Sequence, residues 1–163
     1  MRRQGFALAA SLAAATVLGV VVFDLPTRLA ADAATGVGEH RLVALADGST
    51  VLLNTDSAIA VDYGAQRKIR LLRGEAAFTV APDPARPFRV ETSGGSAIAL
   101  GTRFIVHRTG DGARVTVTEH VVRVDRPIDG RPGAVDGGEG YAGTYGRQGI
   151  SSPMVVAGGD EEG

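Results

Sequence analysis

The stretch LADGSTVLLNTDS, Leu45 to Ser57, decides the fold. Its acid, hydroxyls and amide suit either a loop that binds a metal or serves a nucleophile, or a turn that joins two strands. Side-chain parity separates the two, because residues opposite each other across a hairpin share a face and side chains alternate along each strand. A two-residue Asp47-Gly48 loop would pair Leu45 with Thr50 and put Val43 and Leu45 on the opposite face from Val51 and Leu53. With Ala46-Asp47-Gly48 as a three-residue loop, Val43 faces Val51, Leu45 faces Ser49, and every odd-numbered apolar side chain points one way. Such a loop is a type I turn closed by a left-handed residue, the position at which Gly48 stands. The stretch therefore reads as a hairpin, with Asp47 bonding local backbone N–H groups.

Short alternating runs continue downstream: Ile59, Val61 and Tyr63; Ile69 and Leu71; Phe78 and Val80; Phe88 and Val90; Ile98 and Leu100. Phe104 and Val106, Val115 and Val117, and Val122 and Val124 follow. Gly64-Ala65-Gln66, Pro82-Asp83-Pro84, Ser93-Gly94-Gly95 and Gly110-Asp111-Gly112 separate these runs. Alternation bounded by turn residues, without a sustained helical period, predicts about ten strands and no long helix. A faint repeat runs through them. GSTVLL begins at Gly48, GEAAFTV at Gly74 and GTRFIV at Gly101, a spacing of about 26 residues that suits a sheet curled back on itself with Gly at each corner. Where a fourth Gly would fall, after Thr118-Glu119, there is His120. The fold class is thus all-β, a curled, solenoid-like stack of short strands and hairpins.

The amino-terminal residues have another character. From Gly5 to Phe23, GFALAASLAAATVLGVVVF carries no charge. As a helix it would extend roughly 28 Å, close to the hydrocarbon thickness of a bilayer. Arg2 and Arg3 before it place the amino terminus in the cytoplasm and the rest of the chain on the far side of the inner membrane. Ala31-Asp32-Ala33 offers the rival reading, a cleaved signal peptide. The chain accordingly divides into a cytoplasmic stub (1–4), a transmembrane helix (5–23), a linker (24–37), a β domain (38–124), a Gly-rich partial continuation (125–155) and a disordered acidic tail (156–163).

Composition and spacing leave little room for bond chemistry. A net charge of −1 with dispersed arginines gives no footprint for nucleic acid. Without cysteine there is neither a disulfide nor a thiolate metal site. His40, His107 and His120 are far apart and in no ligand spacing, so a zinc site would need the fold to assemble it. Glu119 and His120 are strand neighbours that point to opposite faces, and no Gly-x-Ser-x-Gly elbow occurs. No helix follows Gly94-Gly95 or Gly101 to complete a phosphate loop. Glu75, after Gly74, is expected to bond local backbone or to pair with Arg73 or Arg89. The reading is of a non-enzyme with no cofactor, no metal and no catalytic residue.

Several ordered motifs resemble the FecR family of membrane-anchored regulators: Gly38-Glu39, LADGSTVLLNTDS, Arg67, LLRGEAAFTV, RPFRV at 86–90 and ALGTRFIV at 99–106. GEGYAGTYGRQGI is similar to the family's continuation past the core domain. The resemblance marks Asp47, Gly48, Asn54, Gly74, Glu75, Gly101 and Thr102 as turn and motif positions. It implies a periplasmic β domain on one inner-membrane span. Such a domain hears from the signalling domain of an outer-membrane TonB-dependent receptor for siderophore or similar nutrient, and passes the message to an extracytoplasmic-function sigma factor. The family's sigma-binding helical segment precedes the span, where this sequence has only MRRQ, so sigma-factor contact requires a segment upstream. Relative to the family the chain reads as truncated at both ends. A structural or adhesive envelope module is the alternative, and a periplasmic hydrolase the third reading.

Overall fold

A computed structural model describes residues 30–64, 66–128, 131–146, 149–150 and 154–155. In chain order the strands are β1 (Ala33–Ala34), β2 (Arg41–Ala44), β3 (Thr50–Leu53), β4 (Ala58–Tyr63), β5 (Arg67–Arg73), β6 (Glu75–Thr79), β7 (Phe88–Thr92) and β8 (Gly95–Ala99). They continue with β9 (Arg103–Arg108), β10 (Ala113–Glu119), β11 (Val122–Ile128), β12 (Arg131–Gly137), β13 (Tyr141–Gly146), β14 (Gly149–Ile150) and β15 (Met154–Val155). The described chain is all-β, as the alternation requires, in more strands than the turn signals alone delimit. The proposed span, 5–23, and the tail, 156–163, lie outside the described residues. Among the described ones no helix is long and apolar enough to cross a membrane.

The strands form two open sheets. One runs β1-β4-β5-β7-β8-β11-β12, and the other β14-β13-β10-β9-β6-β3-β2, with β15 also paired to β13. Both sheets add their strands in chain order, so the chain advances along one direction while it crosses back and forth between them. All neighbouring pairs are antiparallel except β5 with β7, whose connection passes through β6 in the other sheet. The three copies of the faint repeat become β3, β6 and β9, adjacent in one sheet, where Val51, Phe78 and Phe104 stand in register. Repeat spacing is therefore the length of chain needed to leave that sheet and return one strand further on.

Left-handed residues mark many of the turns. Gly48 (φ 84°) closes the β2–β3 hairpin in the predicted register, with Val43 opposite Val51 and the Leu45 amide donating to the Ser49 carbonyl at 2.9 Å. Asp56, Gly74, His120 and Gly140 have φ of 49°, 76°, 62° and 76° where the chain changes sheets. At Gly74 a Cβ would also meet Ser57 Oγ at 2.3 Å and the Asp56 carbonyl oxygen at 2.6 Å. At Gly101 it would meet Pro82 Cα at 2.8 Å. Two of these corners, Asp56 and His120, are not glycine, and His120 stands where the repeat would place one. It holds a conformation that glycine adopts without cost, and it opens β11 in the opposite sheet, so the fourth repeat does not join the first three.

One core lies between the sheets. Val51, Leu53, Phe78, Phe104, Val106 and Val115 from one sheet meet Ile59, Ile69, Leu71, Phe88 and Val90 from the other, all buried. Phe78 joins them directly, with ring centroids 5.2 Å from Phe104 and 6.0 Å from Phe88. Burying each large side chain of this kind contributes about 1.5–3 kcal/mol. The linker reading of 24–37 meets strand structure at its end: Ala33 and Ala34 pair with Ile59 and Ala58, and Thr35 is buried.

Candidate functional site

Asp47 does bond the local backbone, accepting from the Ser49 amide at 3.0 Å and the Ser49 hydroxyl at 2.7 Å. It also reaches the opposite sheet, accepting from Tyr63 Oη at 3.1 Å and from Arg67 Nη1 at 2.9 Å. The Arg67 and Asp47 side chains are only 3% and 5% exposed. Arg67 donates further to the carbonyls of Arg86 (2.6 Å), Ala81 (3.0 Å) and Asp83 (3.3 Å), and its guanidinium lies 5.7 Å from the Phe88 ring centroid. Burial alone would push the Asp47 carboxyl up. Hydrogen bonds from Ser49, Arg67 and Tyr63 outweigh it and hold the carboxyl below its ordinary range. Burial, and then the neighbouring Asp47 carboxylate, push the Tyr63 phenol far above its own. The arrangement ties a hairpin of one sheet to a strand of the other and to the loop before β7.

A second knot joins LNTDS to LRGEA. Ser57 Oγ donates to the Glu75 carbonyl (2.9 Å) and accepts from the Glu75 amide (2.9 Å), while Thr35 Oγ1 bonds the Asn54 carbonyl (2.6 Å) and accepts from the Ser57 amide (3.0 Å). The Glu75 carboxylate accepts from Asn54 Nδ2 at 2.8 Å and lies 3.2 Å from His107 Nδ1. These partners replace Arg73 and Arg89, the residues expected for Glu75. Arg73 pairs with Asp56, and Arg89 bonds Ser96 on the outer face of the other sheet. Glu75 instead shares the outer face of its own sheet with His107, the residue directly opposite it on β9.

Gly101 and Thr102 border an open groove of about 990 Å³. Leu100 and Val121, 49% and 54% exposed, stand at its rim with Pro82, Pro87 and His120. Thr102 is buried and its hydroxyl has no hydrogen-bond partner.

The outer faces of the two sheets differ. On the sheet containing β5, Asp62 bonds Lys68 (2.7 Å) and Arg123 bonds Asp136 (2.8 and 3.2 Å), a charged, solvated surface. Across the other sheet an apolar row runs in register: Leu42, Leu52, Ala77 and Ile105. It begins at β2, a four-residue edge strand where Leu42 is 68% and Leu52 46% exposed. Such an edge presents unpaired backbone N–H and C=O groups beside an exposed apolar pair.

Among the described residues no group of three histidine, aspartate or glutamate side chains is placed to hold a metal ion. Glu119 pairs with Arg103 at 2.9 Å, and His120 lies apart from His107 on the groove. A family model described as FecR protein matches residues 31–123. The chain belongs to the FecR family. Two crystal structures of a proposed anti-sigma factor from Parabacteroides distasonis, at 1.65 and 2.50 Å resolution, share the fold with a TM-score of 0.67 and 25% identity. The likeness covers 76% of this chain and 58% of that protein, so this chain spans little more than half its length. No curated protein matches the sequence. The family and the shared fold support a FecR-like regulator.

Within this FecR domain, the motif positions Asp47, Asn54, Gly74 and Glu75 meet in the two knots, whereas Gly101 and Thr102 sit apart on the groove. Sequence reasoning missed the partners of Asp47. A signal for them exists, because Arg67 shares its strand face with Ile69 and Leu71. A cation on an inward face requires a buried acid.

Proposed function

We propose that the chain is the signal-sensing part of a FecR-like transmembrane regulator, with residues 5–23 crossing the inner membrane and the β domain in the periplasm. It takes its signal from an outer-membrane TonB-dependent receptor and relays it to an extracytoplasmic-function sigma factor through a cytoplasmic segment ahead of the span. The work is binding and relay. The observation that carries this reading is the exposed Leu42–Leu52 pair on edge strand β2 of a FecR-family domain. An edge strand recognises a partner strand by backbone pairing, and the apolar pair adds side-chain selectivity.

The test is Leu42→Asp in the full chain, expressed beside the receptor and sigma factor encoded near its gene. Capture of the receptor's signalling domain and induction of the sigma-dependent promoter should both fall at least tenfold, roughly the effect of losing one apolar interface anchor. Thermal stability should be unchanged, because Leu42 is already exposed. Unchanged capture and induction would remove β2 as the recognition edge. Absence of both neighbouring genes would favour the envelope module.

A further inference from the structure

β2 ends its sheet without the devices that keep sheet ends from pairing. Among the described strands, the other ends are short or interrupted: β1, β14 and β15 have two residues each, and β12 carries Pro132 and Asp136. Brevity, proline and charge all blunt an edge. β2 has four residues, RLVA, with no proline, acid or register shift, and its one charge, Arg41, stands at its start. The core is also thinly covered at this end. β1 pairs with only Ile59 and Ala58 of β4, and the inward side chains Val43, Leu45, Val61 and Tyr63 are partly buried.

The ladder fixes which backbone groups of β2 are free. In an antiparallel pair, residues that bond the neighbouring strand alternate with residues whose N–H and C=O point away. The Leu45 amide bonds Ser49, so Leu45, Val43 and Arg41 bond β3, and the N–H and C=O of Leu42 and Ala44 point outward. A two-fold axis at Val43 matches these groups with themselves. Leu42 of one copy then lies opposite Ala44 of the other, giving four backbone hydrogen bonds across the axis. An axis at Leu42 would set Ala44 against His40, and one at Ala44 would set Leu42 against Ala46, both partners lying outside the strand. Side chains fit the same register. The exposed Leu42 meets the small Ala44 on the outer face, and Val43 meets Val43 on the core side. Each Arg41 faces Leu45, and the two arginines stay roughly 14 Å apart, four strand residues along the ladder.

We propose that β2 pairs with β2 of a second copy of this chain, joining two sheets into one and covering the open end of both cores. A pair of four-residue strands is a small interface, of the kind that exchanges partners. The second copy occupies the edge assigned above to the receptor, and on that reading a receptor strand that takes β2 parts the two copies.

The experiment uses the full chain, purified in detergent without receptor or sigma factor. The sequence has no cysteine, so a single introduced thiol reports one position without background. On mild oxidation Val43→Cys should give a disulfide-linked dimer, since residues facing each other between bonded pairs have Cα atoms about 4.5 Å apart. Arg41→Cys, exposed but too far from its counterpart to bridge, should give at least tenfold less. Adding Ala44→Pro to Val43→Cys removes two of the four bonds and should cut cross-linking at least tenfold, while the β2–β3 ladder keeps its own bonds because the Ala44 N–H points away from β3. Sedimentation of the unsubstituted chain should show a monomer–dimer equilibrium that Ala44→Pro shifts toward monomer. Equal cross-linking of Arg41→Cys and Val43→Cys, no effect of Ala44→Pro, or a monomer whose mass stays constant as concentration rises would overturn the proposal. Adding the receptor's signalling domain separates the two readings of this edge. A dimer that it dissolves supports both; a dimer that it leaves intact supports the second copy and removes the receptor from β2; capture of that domain by a chain that never cross-links removes the second copy alone.

Discussion

Replacing Asp47 tests the physical basis of the fold. Asp47→Ala removes the acceptor for four donors, the Ser49 amide and hydroxyl, Tyr63 Oη and Arg67 Nη1. Arg67 would remain buried, still bonded to three backbone carbonyls but without a countercharge. Breaking a buried pair from one side costs about 3–5 kcal/mol. Domains of this size are stable by only about 5–15 kcal/mol, so the variant should lose a large share of its stability and melt about 10–20 °C lower. Asp47→Asn keeps the size and one acceptor, and isolates the charge. Because the folded carboxyl titrates below its unfolded value, the stability it contributes is complete above roughly pH 4 and is lost as pH falls through the folded pKa. The gap between wild type and Asp47→Asn should therefore be constant near neutrality and shrink below about pH 4, as wild-type Asp47 takes up its proton. Urea denaturation of the full chain in detergent, followed by near-ultraviolet circular dichroism of its tyrosines from pH 7 to 3, measures both quantities. A loss under about 1 kcal/mol in Asp47→Ala, or a gap independent of pH, would refute the reasoning.

Gly74→Ala should cost more than the roughly 1 kcal/mol of a positive-φ substitution, since the new methyl would meet Ser57 Oγ and the Asp56 backbone; a melting temperature within 2 °C of wild type, roughly the shift of 0.5 kcal/mol, would contradict the packing given for that corner. His120→Gly should raise stability by about 0.5–1 kcal/mol in the same urea titration, because glycine holds φ near +62° without strain. A loss instead would mean that the imidazole makes a stabilising contact on the groove.

The parts legible in the sequence were those decided between near neighbours. Val43 and Val51 had to face each other because any other loop length would split the apolar set, and Gly48 had to be left-handed to close that loop. The repeat from Gly48 to Gly74 to Gly101 was readable as stacking because one strand, its return through the other sheet and a glycine corner consume a similar length of chain each time. The partners of Glu75 were not readable. Arg73 is closer in sequence, but His107 stands opposite Glu75 only once β6 and β9 have paired. The strand at Ala33–Ala34 was likewise hidden in an alanine-rich stretch with no alternation of its own, and it exists through pairing with β4.

Alternation and turn residues determined by themselves that the segment after the apolar leader is built of sheets and where its hairpins turn. Tertiary structure alone decided which acid answers Arg67, which sheet receives each hairpin, and which strands are left at the edges. The physical reason is range. Side-chain parity and backbone conformation are set within a few residues, while the pairing of buried charges and strand edges depends on segments that meet only after two sheets have closed over a common core.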